Sequence, residues 1–300
     1  MPRIAVLGGT GYLASLIKYQ NNIKKNRYIF FSRKKLDINY INYSQIKKNI
    51  DTLKDYDVII HLVGPKNNQI KKDKSLIKKK NSITSSICDL CVTNDIKLIY
   101  LSSMQVYRDY GKRNINLKSK INKKNIYSLS HYESEKVIKK KFLNHKKMYI
   151  ILRMGNVFGL KTDFNPRSIK DNLIHSFCFL ALKKKKIFIK NAHIQRTFIP
   201  SIIFIQIINL IINKNFFKNQ IINISYKNLN LKDVVMIIKK RFKLLFKIQI
   251  DLILKKIDNK KKFSIYSNNN LKLNVSNQKI YQEIDQILRF IKKNLKYSDK

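Results

Sequence analysis

Short, uniformly apolar runs alternate with longer amphipathic segments through the first half of the chain. The apolar runs lie at residues 3–7, 28–32, 58–63, 97–102 and 148–152. Because they are apolar throughout rather than at every second position, they predict buried strands of a parallel sheet. The segments between them predict helices over residues 12–20, 44–53, 75–94 and 128–144. This alternation predicts an α/β fold whose doubly wound parallel sheet occupies residues 1–153.

The pattern loosens in the second half. Helices are predicted over residues 171–184, 199–212, 231–242 and 278–295, and short strands over residues 187–189, 221–225 and 247–254. Asn230 is a suitable cap for the third of these helices, with Asp233 at its third position. Residues 255–270 are rich in lysine and asparagine and predict a loop. We expect residues 154–300 to form a smaller α/β substrate lobe, with the chain crossing back to the sheet around residues 193–215.

A glycine-rich turn joins the first predicted strand to the first predicted helix. Gly8, Gly9 and Gly11 account for three of the seven glycines in the whole 300-residue chain. A strand, a glycine turn and a helix in this order are typical of the Rossmann-type site, where helix N–H groups face a dinucleotide pyrophosphate. We therefore expect Gly8, Gly11, Tyr12 and Leu13 to contact a dinucleotide.

The charge of the chain is extreme but is not specific to one partner. The formal net charge is +45, from 63 Lys and Arg against 18 Asp and Glu, and only ten of the 63 are arginine. The lysines are spread along the sequence together with isoleucine and asparagine, a pattern that an A- and T-rich genome produces. Because arginine suits base and phosphate recognition best, nucleic acid is not the expected main partner. Salt-dependent, nonspecific binding to polyanions is expected.

Targeting segments and metal sites are not predicted. The first strand begins at once, so we expect no signal peptide and a cytoplasmic protein. The longest apolar segment, residues 199–212, is shorter than the roughly 20 residues that a membrane span needs. Of the three cysteines, Cys88, Cys91 and Cys178, the first two have metal-like spacing but no second pair, so they are interpreted as two buried thiols one helical turn apart.

Ligands of doubly wound sheets bind where the strands end, so the residues after each strand are the candidates for contact. The predicted cofactor contacts of this kind are Ser32, Arg33, Leu62, Val63 and Gly64. An arginine after the second strand suits the 2′-phosphate of NADP, whereas an acidic residue would suit NAD. The cofactor is therefore NADP or NAD, with NADP favoured.

The fourth strand ends in Ser103, and a tyrosine–lysine pair follows on the next predicted helix. Tyr132 and Lys136 are four residues apart and so lie on one helix face. The same spacing recurs at Tyr43 and Lys47, and the pattern alone carries little weight in a lysine-rich chain. Position favours Tyr132 and Lys136, because they follow the serine-bearing strand by one connection.

Seven motifs, in order, resemble those of the extended short-chain dehydrogenase/reductase family, the NAD(P)-dependent sugar-nucleotide epimerases, dehydratases and reductases. They are GGTGYLA (8–14), LDIN (36–39), HLVGP (61–65), SSMQVY (102–107), YESEK (132–136), LRMGNVFG (152–159) and QRTFI (195–199). The resemblance covers nearly the whole chain. It implies a Rossmann-type fold, hydride transfer to or from a nicotinamide, a nucleotide-sugar substrate and a homodimer.

The resemblance also implies roles for individual residues. Tyr132 would exchange a proton with the sugar, Lys136 would bind the cofactor ribose and lower the pKa of that phenol, and Ser103 would hold the reacting oxygen. Asp37 and Ile38 would contact the adenine. The residues implied at the substrate are Gln105, Asn156 and Arg196.

Two departures from the family pattern limit these expectations. Thr197 replaces the aspartate that usually follows Arg196, which puts the anchoring of the substrate loop in question. Met104 and Gln105 stand where family dehydratases carry an Asp-Glu pair, which disfavours a 4,6-dehydratase. An epimerase or a 4-ketoreductase remains, and a catalytically weak member that binds RNA or senses dinucleotide is the alternative.

Overall fold

A computed structural model describes residues 2–21, 28–32, 50–111, 114–146, 148–160, 172–255 and 276–298. Its strands are β1 Ile4–Leu7, β2 Tyr28–Phe31, β3 Val58–His61, β4 Lys97–Ser103, β5 Tyr149–Met154, β6 Asn156–Phe158, β7 Lys186–Ile189, β8 Gln195–Pro200, β9 Gln220–Ile224, β10 Lys227–Asn230 and β11 Asp251–Leu254. Its helices are α1 Tyr12–Asn21, α2 Ile50–Leu53, α3 Asn67–Lys72, α4 Ser75–Thr93, α5 Ile126–Lys141, α6 Leu173–Lys184, α7 Ser201–Asn213, α8 Leu231–Phe246 and α9 Asn277–Ser298. A single 3₁₀ turn, Met104–Val106, follows β4.

The main sheet is parallel and has six strands in the order β2-β1-β3-β4-β5-β9. Along β1, Ile4 and Val6 pack into one buried cluster, while Ala5 and Leu7 pack into another. Both faces of the sheet are therefore covered, as the uniformly apolar runs predict. The α/β fold with a doubly wound sheet is confirmed.

Helices on opposite faces explain these two clusters. On one face, α1 packs against α7, and Leu16 and Ile208 belong to the same core as Ile4. On the other face α4 packs against α5, and Ile87 and Ile138 share the second core with Leu7. The helix α5 therefore lies along the strands β4 and β5, at whose ends the candidate chemistry is placed.

The second half adds two small sheets and returns to the main one. One sheet has the order β10-β8-β6 and the other pairs β11 with β7 in parallel. The chain comes back to the main sheet through α7 and then β9, which pairs with β5. The predicted cap of α8 is confirmed, since the Asn230 side chain accepts the N–H of Asp233 at 2.7 Å. The predicted loop 255–270 lies outside the described residues apart from Lys255.

Two further sequence predictions can be checked against the described residues. The thiols of Cys88 and Cys91 are buried, as predicted, and so is that of Cys178. None of the helices in the described ranges is both long and apolar enough to cross a bilayer.

The start of α5 matters for the site and differs from its prediction. The helix begins at Ile126, two residues before the predicted start. The side chain of Asn125 caps it by accepting the N–H groups of Tyr127 at 3.0 Å and Ser128 at 3.1 Å. The first turn of α5 therefore contains Tyr127 and lies beside the 3₁₀ turn that follows β4.

Replacement of Asn125 by alanine should weaken this helix start. Loss of a side-chain cap costs about 1 kcal/mol, so Asn125→Ala should lower the free energy of unfolding in urea by about that amount. Asn144→Ala is the matched control, because Asn144 is exposed in the turn after α5. Equal effects of the two substitutions would contradict the capping role.

Candidate active site

The glycine turn after β1 is held tightly against two neighbouring strands. The N–H groups of Gly8 and Gly9 both donate to the carbonyl of Phe31, at 3.1 and 2.8 Å. Gly8 has φ +97°, and a Cβ there would lie 3.1 Å from the carbonyl carbon of Leu62. Any side chain at Gly8 would therefore be strained and crowded at once. Glycine is needed at this position both for the backbone conformation and for the close approach to Leu62.

The same turn leaves an open cradle at the start of α1. Thr10 and Gly11 are exposed, and the Gly11 N–H donates to the Gly8 carbonyl at 2.8 Å. The free N–H groups at the N-terminus of a helix such as α1 bind anions well. Gly64, which follows β3 at the same sheet edge, is also exposed. These residues fit a dinucleotide phosphate group.

The other predicted cofactor residues differ in how they are placed. Tyr12 is tied to the second half of the chain, since its hydroxyl accepts the Gly159 N–H at 3.0 Å and donates to the Gly159 carbonyl at 3.2 Å. Leu13 is half-buried and Ser32 is buried. Leu62 and Val63 are half-buried at the end of β3. The predicted contacts Arg33, Asp37 and Ile38 lie outside the described residues.

The Ser103 hydroxyl at the end of β4 faces a tyrosine that was not among the predicted site residues. It accepts the N–H of Gln105 at 3.1 Å, and the phenol of Tyr127 lies close enough for Ser103 to affect its pKa. Burial raises the pKa of Tyr127, and the nearby Ser103 hydroxyl opposes that rise. The phenol is therefore protonated at neutral pH in this arrangement.

The structure does not bring the predicted pair Tyr132 and Lys136 to Ser103. Five residues of α-helix turn the chain by about 140°, so Tyr132 lies on a different face of α5 from Tyr127. The Lys136 side chain is 53% exposed and pairs with Glu133 at 2.7 Å. Its ammonium lies 5.5 Å from the centre of the Tyr132 ring. Of the tyrosines on α5 it is Tyr127 that lies beside Ser103, and the roles expected of Tyr132 and Lys136 stay predictions.

The residue four positions after Tyr127 explains why the sequence pattern selects Tyr132 instead. With the helix predicted from residue 128, Tyr127 stood outside it, and the next tyrosine with a lysine four residues later was Tyr132. In the structure, Tyr127 is followed four residues later by His131, whose ring stacks edge-on against the phenol at 4.8 Å. The tyrosine–lysine spacing therefore could not have pointed to Tyr127. The position of the helix cap could have done so.

A buried ion pair fixes α5 to the sheet directly behind these groups. Glu135 accepts from Arg153 at 2.5 and 3.0 Å, and from the Ser102 hydroxyl at 2.6 Å. Arg153 also donates to the Tyr107 hydroxyl at 2.8 Å, and that hydroxyl donates to Asn223 at 2.7 Å. Glu135 and Arg153 are only 1% and 4% exposed. The network joins β4, α5, β5 and β9.

A second polar group is buried behind the end of β3. The ring of His61 accepts the Val63 N–H through Nδ1 at 3.2 Å, so its Nε2 carries the proton and donates to Thr84 at 3.0 Å. Burial lowers the pKa of His61 to about 3, and the charge of nearby Lys80 lowers it further. His61 is therefore a neutral, structural histidine that shapes the turn leading to Gly64.

The predicted substrate residues lie at the junction with the second lobe. Asn156 begins β6 and donates to the Thr197 carbonyl at 3.3 Å. The Arg196 guanidinium lies over the Tyr110 ring at 4.9 Å and donates to the carbonyl of Tyr110 at 3.4 Å and to that of Gln195 at 3.1 Å. The Gln105 side chain is exposed beside Ser103.

The threonine that departs from the family pattern has structural partners of its own. The Thr197 hydroxyl lies 2.8 Å from that of Ser225 and accepts the N–H of Tyr226 at 3.2 Å. The Thr197 N–H donates to the Tyr110 hydroxyl at 3.2 Å. The strand β8 is thus anchored without a carboxylate at this position.

Comparison with known proteins gives a family match over most of the chain. The model of the NAD dependent epimerase/dehydratase family matches residues 4–225. No curated protein matches the chain.

Solved structures of similar fold cover almost the full length. UDP-N-acetylglucosamine 4-epimerase from Bacillus cereus shares 18% identity with a TM-score of 0.75, covering 97% of this chain and 99% of that one. UDP-glucose 4-epimerase from Bifidobacterium longum, in complex with NAD+ and UDP, shares 14% with a TM-score of 0.76, covering 97% and 98%. RMD from Pseudomonas aeruginosa, complexed with NADPH, shares 12% with a TM-score of 0.76, covering 98% and 100%.

Removing one partner of the buried ion pair should lower the free energy of unfolding more than removing both partners. Arg153→Met leaves the Glu135 carboxylate buried without its partner and should lower the free energy of unfolding by about 3–5 kcal/mol. The double variant Glu135→Leu/Arg153→Met removes both charges and should recover most of that loss. Urea unfolding followed by circular dichroism measures both. A double variant no more stable than Arg153→Met would contradict this account of the pair.

Proposed function

The chain belongs to the NAD-dependent epimerase/dehydratase family, and from that membership we propose that it is an NAD(P)-dependent nucleotide-sugar epimerase or 4-ketoreductase. The observation that supports the reaction is the closeness of the half-buried Tyr127 phenol to the Ser103 hydroxyl at the carboxyl end of β4. This is the sheet edge where the glycine turn and Gly64 also lie. Substrate and cofactor would meet there.

The glycine turn and the first turn of α1 would hold the cofactor phosphates. The open backbone at Gly11 and the crowded, positive-φ position of Gly8 are the features that support this role. When bound, the nicotinamide supplies the hydride acceptor or donor. One relative of similar fold was solved with NAD+ and another with NADPH, so the choice between NAD and NADP rests on Arg33.

Ser103 and Tyr127 would handle the proton and the reacting oxygen. As a half-buried, protonated phenol, Tyr127 is placed to donate a proton to a developing alkoxide, as ketone reduction requires. In the reverse direction the phenolate would accept the proton of a sugar hydroxyl. Ser103 would hold the same oxygen in position by a hydrogen bond.

The second lobe would hold the nucleotide part of the substrate. A guanidinium suits a diphosphate, and Arg196 is already aligned by the carbonyl groups of Tyr110 and Gln195. Asn156 lies on the neighbouring strand β6, and Gln105 is exposed beside Ser103. Met104 is fully buried and, like Gln105, does not titrate, which favours an epimerase or reductase over a dehydratase.

A recycling epimerase keeps its cofactor, whereas a reductase exchanges it in every turnover. Retention of cofactor through gel filtration would favour the epimerase. The homodimer and the cytoplasmic location stay predictions.

Removal of one phenolic hydroxyl tests the proposed site. Tyr127→Phe should lower turnover on a nucleotide sugar by about 10²- to 10⁴-fold, because the proton donor is lost, while cofactor binding persists. Turnover is measured by NAD(P)H oxidation and isomer formation across a nucleotide-sugar panel.

Tyr132→Phe is the matched control on the same helix. It removes the same atom from a residue on another face of α5 and should leave turnover within about two-fold. If Tyr132→Phe lost activity while Tyr127→Phe stayed fully active, the proton donor would be Tyr132, as the tyrosine–lysine spacing predicts. That result would contradict the role proposed for Tyr127.

The preference for NADP is tested at Arg33. Arg33→Asp should weaken NADPH relative to NADH by about 10- to 100-fold, because it removes a charge-assisted hydrogen bond to the 2′-phosphate. Lys35→Asp changes the net charge equally two residues away and controls for general electrostatics. Fluorescence titration of both cofactors gives the ratio, and an unchanged ratio in Arg33→Asp would reject NADP preference.

A further inference from the structure

A buried lysine on α4 lies directly behind the proposed site. Lys80 is 4% exposed, and its ammonium donates to the carbonyl and the hydroxyl of Ser130, both at 3.3 Å. It also lies 5.8 Å from the centre of the Tyr100 ring. Ser130 belongs to the turn of α5 that follows Tyr127. The ammonium therefore reaches α5 one helical turn away from the phenol.

The charge on Lys80 is poorly compensated where it lies. Both acceptors on Ser130 are neutral, and the nearby carboxylate of Glu135 is already bound by Arg153 and Ser102. Burial lowers the pKa of Lys80 to about 7, and the Glu135 charge opposes this shift. A buried cation without its own carboxylate is costly for a fold, so a stabilising role does not explain it.

The side chain of Lys80 also reaches the groove where the cofactor is proposed to bind. A Cβ built on Gly64 would lie 3.4 Å from Lys80 Cε and 3.9 Å from Nζ. Gly64 itself is exposed. The ammonium thus lies next to the exposed backbone of Gly64 at the end of β3 and next to the first turns of α5.

The remaining groups around Lys80 are neutral. Burial lowers the pKa of His131 well below its ordinary value, and the charges of Lys80 and His61 lower it further. Burial likewise lowers the pKa of His61 to about 3 and raises that of Tyr100. Among the described residues facing this cluster, Lys80 is then the group whose protonation changes between about pH 6 and 9.

We propose that Lys80, carried by α4, is the cationic residue of this active site, in the role that the sequence pattern gave to Lys136. Its ammonium would bind the ribose hydroxyls of the cofactor and favour the phenolate form of Tyr127. Four residues after Tyr127, where a lysine would stand on α5, the chain has His131. The assignment rests on the proposed function, because it takes a nicotinamide dinucleotide to be the ligand of the groove.

The proposal makes a prediction about protons as well as affinity. In the protein without cofactor, Lys80 is largely neutral at pH 8. An anionic dinucleotide or phenolate beside it raises the pKa of Lys80. Binding of NADH or NADPH at pH 8 should therefore take up protons. Isothermal titration calorimetry in two buffers of different ionisation enthalpy measures that uptake on the wild-type protein, without any sugar substrate.

Replacement of the lysine separates this role from a structural one. Lys80→Met should abolish the proton uptake, weaken cofactor affinity by about ten-fold or more, and raise the pH of half-maximal turnover by about one unit. Lys80→Arg keeps the charge and should restore part of the affinity. Lys79→Met, on the same helix but exposed, is the matched control and should behave as wild type.

The possible results separate the role of Lys80 from the proposed function. Wild-type proton uptake that persists in Lys80→Met, or is absent from the wild type, would overturn the proposal. Loss of affinity and a shifted pH profile in Lys136→Met, with Lys80→Met normal, would return the role to Lys136. Failure of every nucleotide sugar to turn over would defeat the proposed function, whereas the calorimetric result on Lys80 would still stand.

Discussion

The ion pair between Glu135 and Arg153 is the constraint on which the site depends. It joins the middle of α5 to β5, and through Ser102 to the end of β4. Ser102 is the residue before Ser103, so the carboxylate fixes the strand end that carries the Ser103 hydroxyl. The same helix presents Tyr127 two turns earlier. A buried pair of this kind stabilises little in itself, and its effect here is to hold two elements in one register.

The groups of the site come from separate elements that meet at one sheet edge. The glycine turn follows β1, Gly64 follows β3, Ser103 ends β4 and Tyr127 opens α5. Lys80 reaches the same place from the middle of α4, which packs along α5. Parallel strands bring their carboxyl ends together, so residues that are distant in the sequence become neighbours. The proposed chemistry follows from this geometry together with family membership.

Much of the fold could be predicted from the sequence, because buried parallel strands leave uniformly apolar runs and helix caps leave recognisable residues. The runs at β3, β4 and β5 are observed within two residues of their predicted bounds. The residues of the site were harder to predict, because the tyrosine–lysine spacing selects Tyr132, whereas Tyr127 has His131 four residues later. Lys80 could not be recognised at all. One lysine among 53 carries no sign that it will be buried, and only packing against α5 distinguishes it.

The position of the bound nicotinamide is the most direct test of the proposed site. A crystal structure of the protein with bound cofactor would measure the distances from the nicotinamide to Ser103 and Tyr127. The account predicts that the ring lies over the Ser103–Tyr127 pair, within hydrogen-bonding reach for a substrate oxygen between them. A nicotinamide that instead faces Tyr132 on the other side of α5, or lies away from the ends of β3 and β4, would contradict it.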